Sequence, residues 1–342
     1  MPQKPIDAST IVFSPGEARD AAVQAIRGNR ALDQSKRGIR FGIPCLDTPR
    51  ISPTTKRREW LLPLKRSELM TVIGRPRNGK TQLMMNTAIT HAEDLAKAGV
   101  VDHATVFVSW EQSVEDLVSY DIARQTGLTL DEITVGEISD EKMELVDKYP
   151  IVRAENQLFF VGFSDTIQAR RPPMTMDVIY QALETIRDWN GVKNSFALDL
   201  VVLDYLQRIP YDVRAESKTV GISKNVDLIK DLSLQFACGV IVGSQAKQIV
   251  ETRTDKMPEA SDSEYTDNLF QSSDKIVAVM TPSLYYEPGD AVAGMTLAEE
   301  TLGQMMVVRV CKQKKGASEF GRSFLFDTSR CRYVGDVQAK EV

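Results

Sequence analysis

The chain has 342 residues, 42% of them hydrophobic and 26% charged. That is enough to bury one large core or two ordinary ones, which excludes a largely disordered polymer. Its 42 basic and 47 acidic residues leave a formal charge of −5, so indiscriminate polyanion binding is not expected of the whole molecule, although a local basic surface assembled from several subunits stays open. No apolar run approaches the ~20 residues that span a bilayer, and the opening MPQKPIDAST lacks the apolar stretch of a secretory signal. Cys45, Cys238, Cys311 and Cys331 are scattered without CxxC spacing and only His91 and His103 accompany them. This argues against a zinc site and sets the expectation of a cytoplasmic protein without a membrane partner.

In chain order, a loose arm leads to Ser14-Pro15-Gly16-Glu17, a capping-box start for a helix that runs to Arg27. This helix is too short to bury its apolar stripe alone, so it is expected to dock on its own domain or on a neighbouring subunit. From Phe41 the pattern becomes apolar strands alternating with amphipathic helices. Strands are expected over Leu69–Ile73, Ala104–Ser109, Gln157–Gly162, Leu198–Leu203, Val240–Gly243, Lys275–Met280, Gln304–Val310 and Ser323–Asp327. Helices are expected from Lys80 to Ala98, Val114 to Gln125, Met176 to Trp189 and Val226 to Phe236, with acidic helical pieces between Leu130 and Lys148. Such alternation predicts an α/β domain whose mainly parallel central sheet is flanked by helices on both faces. Residues 1–38 then form an N-terminal arm and linker helix, and residues 39–342 the domain proper.

The chemistry is carried by Gly74-Arg75-Pro76-Arg77-Asn78-Gly79-Lys80-Thr81, a complete GxxxxGK[ST] between a buried strand and a helix. Backbone N–H groups of such a turn converge on phosphate oxygens, and the helix N-terminus adds its positive end. Lys80 reaches the β- and γ-phosphates and the Thr81 hydroxyl ligates Mg²⁺. ATP and Mg²⁺ are therefore the expected ligands. A magnesium-side acid must end another buried strand, and Leu200-Val201-Val202-Leu203-Asp204 supplies Asp204. Asp199 competes, but it lies near the start of that strand, at the wrong end of the sheet. Glu111 ends the Val106–Ser109 strand and can orient the attacking water, with an ordinary helix-capping role as the alternative. Gln245 ends Val240–Ser244 and can sense the γ-phosphate by hydrogen bonding.

Together these segments resemble the C-terminal ATPase domain of DnaB-type replicative helicases, a branch of the RecA-like P-loop NTPases, from about Ile39 to Tyr333. FGIPCLD at 41–47 is similar to the motif that opens the domain, GRPRNGKT to its nucleotide loop and VSWEQSVEDL at 108–117 to its strand-glutamate segment. VVLDYLQRI at 201–209 resembles the magnesium motif, IVGSQAKQ at 241–248 the Ser-Gln sensor, LFQSSDKIVAVM at 269–280 a helix-to-strand segment and VCKQKKG at 310–316 the late strand that presents finger residues. The resemblance implies Glu111 as catalytic base, Gln245 as sensor, and Lys312 and Lys314 as fingers reaching a neighbour's nucleotide. Where the family has Lys-Gln-Arg, this chain has Lys312-Gln313-Lys314, exchanging a forked guanidinium for a point charge. It also implies a self-assembled ring, a hexamer, with single-stranded DNA as ligand and replication or loader proteins as partners. The family's separate helical N-terminal domain has no counterpart in the short stretch before Phe41, so primase binding loses support. DNA is expected at two loops after nucleotide-sensing strands, one from Arg208 to Ser223 with Arg208, Arg214 and Lys218, the other from Ala246 to Asp262 with Lys247, Arg253 and Lys256. The acidic segment 281–303 reads as a loop or hairpin insertion without assigned chemistry.

The leading expectation is a Mg²⁺-dependent ATPase that moves on single-stranded DNA and unwinds duplex. The alternative is a RecA-like regulatory or scaffold ATPase that assembles on nucleotide and recruits or loads a partner without unwinding.

Overall fold

Strand runs that are apolar at every position demand cover on both faces, and the fold provides it. The structure, a computed structural model, describes residues 19–20, 23–24, 38–52, 54–153, 158–166, 173–211, 215–264, 267–292, 295–296 and 298–337. Of the expected N-terminal helix only residues 19–20 and 23–24 are described, and they are helical. Its remainder and Arg214 lie outside the described residues.

The central sheet has nine strands: β1 (Leu69–Gly74), β2 (His103–Ser109), β3 (Leu158–Val161), β4 (Ala197–Asp204), β5 (Gly239–Gln245), β6 (Lys275–Met280), β7 (Met305–Gln313), β8 (Phe320–Asp327) and β9 (Arg332–Asp336). Their spatial order is β9-β8-β7-β6-β1-β5-β4-β2-β3. From β6 to β3 all neighbours run parallel, while β7, β8 and β9 extend the sheet as an antiparallel meander. The strand that feeds the glycine-rich loop thus lies inside the sheet, with the strand carrying Gln245 on one side and β6 on the other.

Side-chain alternation divides the core into two layers. Leu200 and Val202 of β4 join Phe107 of β2 and Ile241 of β5 beneath Leu83, Met84, Ala88 and Ile89 of α1 (Lys80–Lys97) and Leu117 of α2 (Val114–Thr126). Their neighbours Val201 and Leu203 turn to the opposite face. There they meet Ile179, Leu183 and Ile186 of α3 (Met176–Arg187) and Val226, Ile229 and Leu232 of α4 (Lys218–Gln235). The helix ends follow local chemistry. Ser113 Oγ accepts the Asp116 N–H at 3.2 Å to start α2, and Gly127, at φ 76°, ends it in the left-handed conformation that glycine adopts without a Cβ clash.

Several boundaries differ from expectation, and two of them bear on candidate site residues. Helix α4 begins at Lys218 rather than Val226, because Ser217 Oγ caps it through the Val220 N–H at 3.2 Å. Gly221 lets the Tyr211 ring pack where a Cβ would come within 2.3 Å. The first expected DNA loop is correspondingly shorter, and Lys218 stands on the first helical turn. Strand β7 continues past Val310 to Gln313 through a register shift, which places Lys312 on a strand. Segment 281–303 contains a short hairpin, Ala291–Val292 with Met295–Thr296, and a one-turn helix at Glu299–Leu302. No described helix is long and apolar enough to cross a membrane.

Candidate nucleotide site

The carboxyl ends of the parallel strands form one edge, and the sequence-predicted groups gather along it. In the loop after β1, Arg77 and Gly79 both take positive φ, 66° and 80°. A Cβ on Gly79 would approach Met306 Cε to 2.4 Å, and one on Gly74 would approach Val279 Cγ1 to 2.9 Å. The cradle is therefore closed from below by β6 and β7, and those positions admit only glycine without rearrangement. Lys80 is 9% exposed and folds its ammonium back to donate to Gly74 O and Arg75 O, both at 2.9 Å. Burial pulls this ammonium down to about 8, with Asp204 and Glu111 acting in the opposite direction.

Thr81 Oγ1 donates to Asp204 Oδ2 at 2.7 Å. Burial pushes the Asp204 carboxyl up to about 6, against the Thr81 hydrogen bond and the Lys80 charge. A hydroxyl and a carboxylate side by side are hard oxygen donors, the type that binds Mg²⁺ through one or two protein ligands and water. The residues present thus fit the ion. Ser109 at the tip of β2 is in register with Asp204, and the Trp110 N–H donates to Asp204 O at 3.0 Å. That pairing sets Glu111 just beyond the carboxylate. Ser109 Oγ accepts the N–H groups of Glu111 and Gln112 at 3.2 and 2.9 Å, and Arg208 Nη2 stands 4.0 Å from Glu111 Oε1. Gln245 is in register with Gly74, directly beside the start of the loop. The structure thus brings Lys80, Thr81, Asp204, Glu111 and Gln245 together.

Lys312 and Lys314 are elsewhere. Lys312 pairs in register with Ile276 and Gln313 with Lys275, and Lys275 is level with Met70. Met70 lies four residues, about 13 Å at the usual strand rise, before Gly74, so these lysines sit at the opposite edge from their own nucleotide loop. Asp199 lies toward that far edge too, as its early position in β4 requires. It accepts from Arg66 Nη2 at 2.9 Å and faces His91 Nε2 and His103 Nδ1, each at 3.2 Å. Burial raises its carboxyl, but His91 and His103 outweigh this and hold it well below the usual carboxylate range.

The cations of the second expected DNA loop are engaged within the protein. Arg253 grips Asp262 through two hydrogen bonds of 2.7 and 2.6 Å. Lys247 Nζ donates to Ser261 O at 3.0 Å and Lys256 Nζ to Glu251 O at 2.9 Å. Arg208 is more open, its side chain 57% exposed.

Three side chains make contacts that escape a reading by motif. Gln207 joins the end of β4 to the tip of β5: its Oε1 accepts the Gln245 N–H at 3.1 Å, and its Nε2 donates to Ser244 Oγ at 3.0 Å and Glu264 O at 3.2 Å. Arg75 ties the nucleotide loop to the segment after β5 through Glu251 Oε1 at 2.7 Å and Ala246 O at 2.8 Å. Asn78 ties it to the 281–303 segment, donating to the Tyr285 hydroxyl at 2.8 Å and accepting the Thr281 N–H at 2.9 Å. Only the position of Gln207 two residues after Tyr205 in the magnesium motif offered any signal. These partners of Arg75 and Asn78 are all more than a hundred residues away in sequence.

A strand, a glycine-rich loop and a helix, with a hydroxyl and a carboxylate meeting at the carboxyl edge of a parallel sheet, define a P-loop nucleotide-binding domain of the RecA-like class. Residues 59–332 match the model of the DnaB-like helicase C terminal domain, and the chain belongs to this family. It is 25% identical over 249 residues to the replicative DNA helicase DnaB of Buchnera aphidicola subsp. Acyrthosiphon pisum (strain APS), covering 72% of this chain and 50% of that protein. It is 24% identical over 243 residues to the DnaB of Rickettsia prowazekii (strain Madrid E), covering 70% and 47%. The chain thus spans about half the length of the curated relatives it matches. Among solved structures, one isolated ATPase domain superposes with a TM-score of 0.71 at 20% identity, covering 94% of this chain and 99% of that one. A DnaB-like replicative helicase, described with its interactions with primase, gives 0.71 at 19%, covering 92% and 67%.

Proposed function

We propose that the protein is a Mg²⁺-dependent ATPase that assembles into a ring, hydrolyses ATP at the seams between protomers and uses the cycle to move on single-stranded DNA and unwind duplex. The observation that carries this reading is the meeting of the Thr81 hydroxyl with Asp204 at the mouth of a loop whose first residue is in register with Gln245. Thr81 and Asp204 would hold Mg²⁺, which would supply neutralisation of the negative charge on the phosphates. Lys80 leaves its backbone carbonyls for the phosphates, Thr81 and Asp204 hold the metal side, and Glu111 orients water and takes its proton. Gln245 hydrogen-bonds the terminal phosphate, and Gln207 carries its displacement to the strand tip it braces. Lys312 and Lys314, on the far edge of the sheet, suit a role at a neighbour's nucleotide rather than their own. Arg208 and Lys218 are the proposed DNA-facing cations nearest the magnesium strand, with Lys247, Arg253 and Lys256 joining only if their internal partners let go.

The engagement of those last three side chains favours a second reading, an ATPase that assembles and recruits a partner without gripping DNA. One set of measurements separates the two. ATP turnover that rises with protein concentration and with single-stranded DNA, together with strand displacement, supports the helicase. Turnover that depends on assembly but not on DNA, with no displacement, supports the scaffold. Turnover independent of both overturns the ring-seam site.

A further inference from the structure

Both lysines assigned as fingers are held by the segment that follows the second loop. Lys312 Nζ donates to Phe270 O at 2.5 Å and lies 4.5 Å from the centre of the Phe270 ring. Lys314 Nζ pairs with Asp274 Oδ1 at 2.5 Å, and its backbone N–H donates to Asp274 O at 3.0 Å. The other carboxylate oxygen, Oδ2, accepts from Lys230 Nζ of α4 and from the Leu69 N–H at the start of β1, each at 2.9 Å. The Asp274 side chain is 10% exposed and Lys230 25%, whereas Lys314 is 57% exposed.

We propose that Asp274 is a positioning residue that parks Lys314 on its own protomer and releases it to a neighbour's triphosphate, while Lys230 keeps the carboxylate compensated. This rests on the reading of Lys314 as a finger acting across a seam. A buried carboxylate stripped of its cation is strongly unfavourable. Asp274 escapes that state, because Lys230 and the Leu69 N–H stay when Lys314 departs. The solvent-facing ammonium of Lys314 is held with the modest strength of an exposed ion pair, and a triphosphate carrying several negative charges competes it away. A lysine serves this purpose better than arginine, since a guanidinium would fork onto the carboxylate and be harder to release.

The test reads ATP turnover of the full chain without DNA, with assembly followed by mass. Asp274→Asn, whose amide oxygen still accepts from Leu69, is expected to raise turnover about two- to five-fold, the hold of an exposed ion pair. The rise is expected to vanish when Asp274→Asn is combined with Lys314→Ala. Lys230→Met leaves Lys314 to compensate the carboxylate and lowers turnover by a similar factor. Neutralising the carboxylate and removing its inner cation then move the rate in opposite directions, which a loss of packing cannot do. No change from Asp274→Asn, an equal change with and without Lys314, or the same sign from Asp274→Asn and Lys230→Met overturns the proposal. Lys314→Ala without effect on the assembled chain removes the finger reading beneath it.

Discussion

Lys80 and Asp204 are both buried, and burial moves their titrations toward each other, Lys80 down to about 8 and Asp204 up to about 6. If Asp204 holds the metal as proposed, its carboxylate must be ionised, so below pH 6 binding of Mg²⁺ with nucleotide has to expel a proton from it. Above pH 8 the ligand-free Lys80 has lost its proton and has to regain one to meet phosphate. Affinity for Mg²⁺–nucleotide, measured with a fluorescent analogue, is therefore expected to plateau between about 6 and 8 and to fall roughly tenfold per pH unit on either side. In Lys80→Arg the alkaline fall should disappear, because a guanidinium does not deprotonate there. Glu111 is half exposed and held only loosely by Arg208, as its proposed role on water requires. Glu111→Gln is expected to leave nucleotide affinity within a few-fold and to lower single-turnover hydrolysis by about 10²–10⁴-fold, the usual size of a general-base contribution.

Individual elements place this chemistry at one edge and stability at the other. At the far edge, Asp199 near the start of β4 draws together α1 through His91, β2 through His103 and the loop before β1 through Arg66. Its folded carboxyl titrates below the unfolded value of ~3.9, so the stabilisation is present above that pH and drains away as pH falls through the lower folded value. Asp199→Asn is expected to cost about 1–3 kcal/mol by leaving the buried His91, with His103 and Arg66, without an ionised acceptor. Chemical denaturation should show that loss at pH 7 and a smaller one in acid, with nucleotide binding unchanged. The sequence places Asp199 at the unproductive end of its strand, since eight residues of extended chain have two ends and only one meets the loop after β1. It gives no hint that both histidines of the chain converge there, because those contacts join residues distant in sequence.

For the whole molecule, the decisive geometry is the separation of Lys312 and Lys314 from their own nucleotide loop by the length of a strand. If the fingers act across a seam, a protomer with Lys80→Ala retains working fingers and one with Lys314→Ala retains a working loop. Each should be nearly inactive alone, and mixing them should restore part of the ATP turnover at the seams where an intact loop meets an intact finger. Mixtures no more active than the sum of their parts would place the complete site within one protomer. The alternation of apolar strands and amphipathic helices over 342 residues supplied enough pattern to read a parallel sheet covered on both faces. The antiparallel meander of β7, β8 and β9 was only partly legible, because β9 alternates polar and half-buried residues at an edge and lacks the continuous apolar run that marks central strands.

What the amino-acid sequence determined by itself is which groups stand at one edge of the sheet: Lys80, Thr81, Asp204, Glu111 and Gln245 each follow an apolar run or a glycine turn, and local patterning is enough to place them there. Tertiary structure alone decided which charges are spent and which remain in reserve. Arg253 is committed to Asp262, and Lys314 shares Asp274 with Lys230. The physical reason is that a side chain's charge is written in its residue type, whereas its partner is chosen by packing that brings distant segments within ion-pair distance.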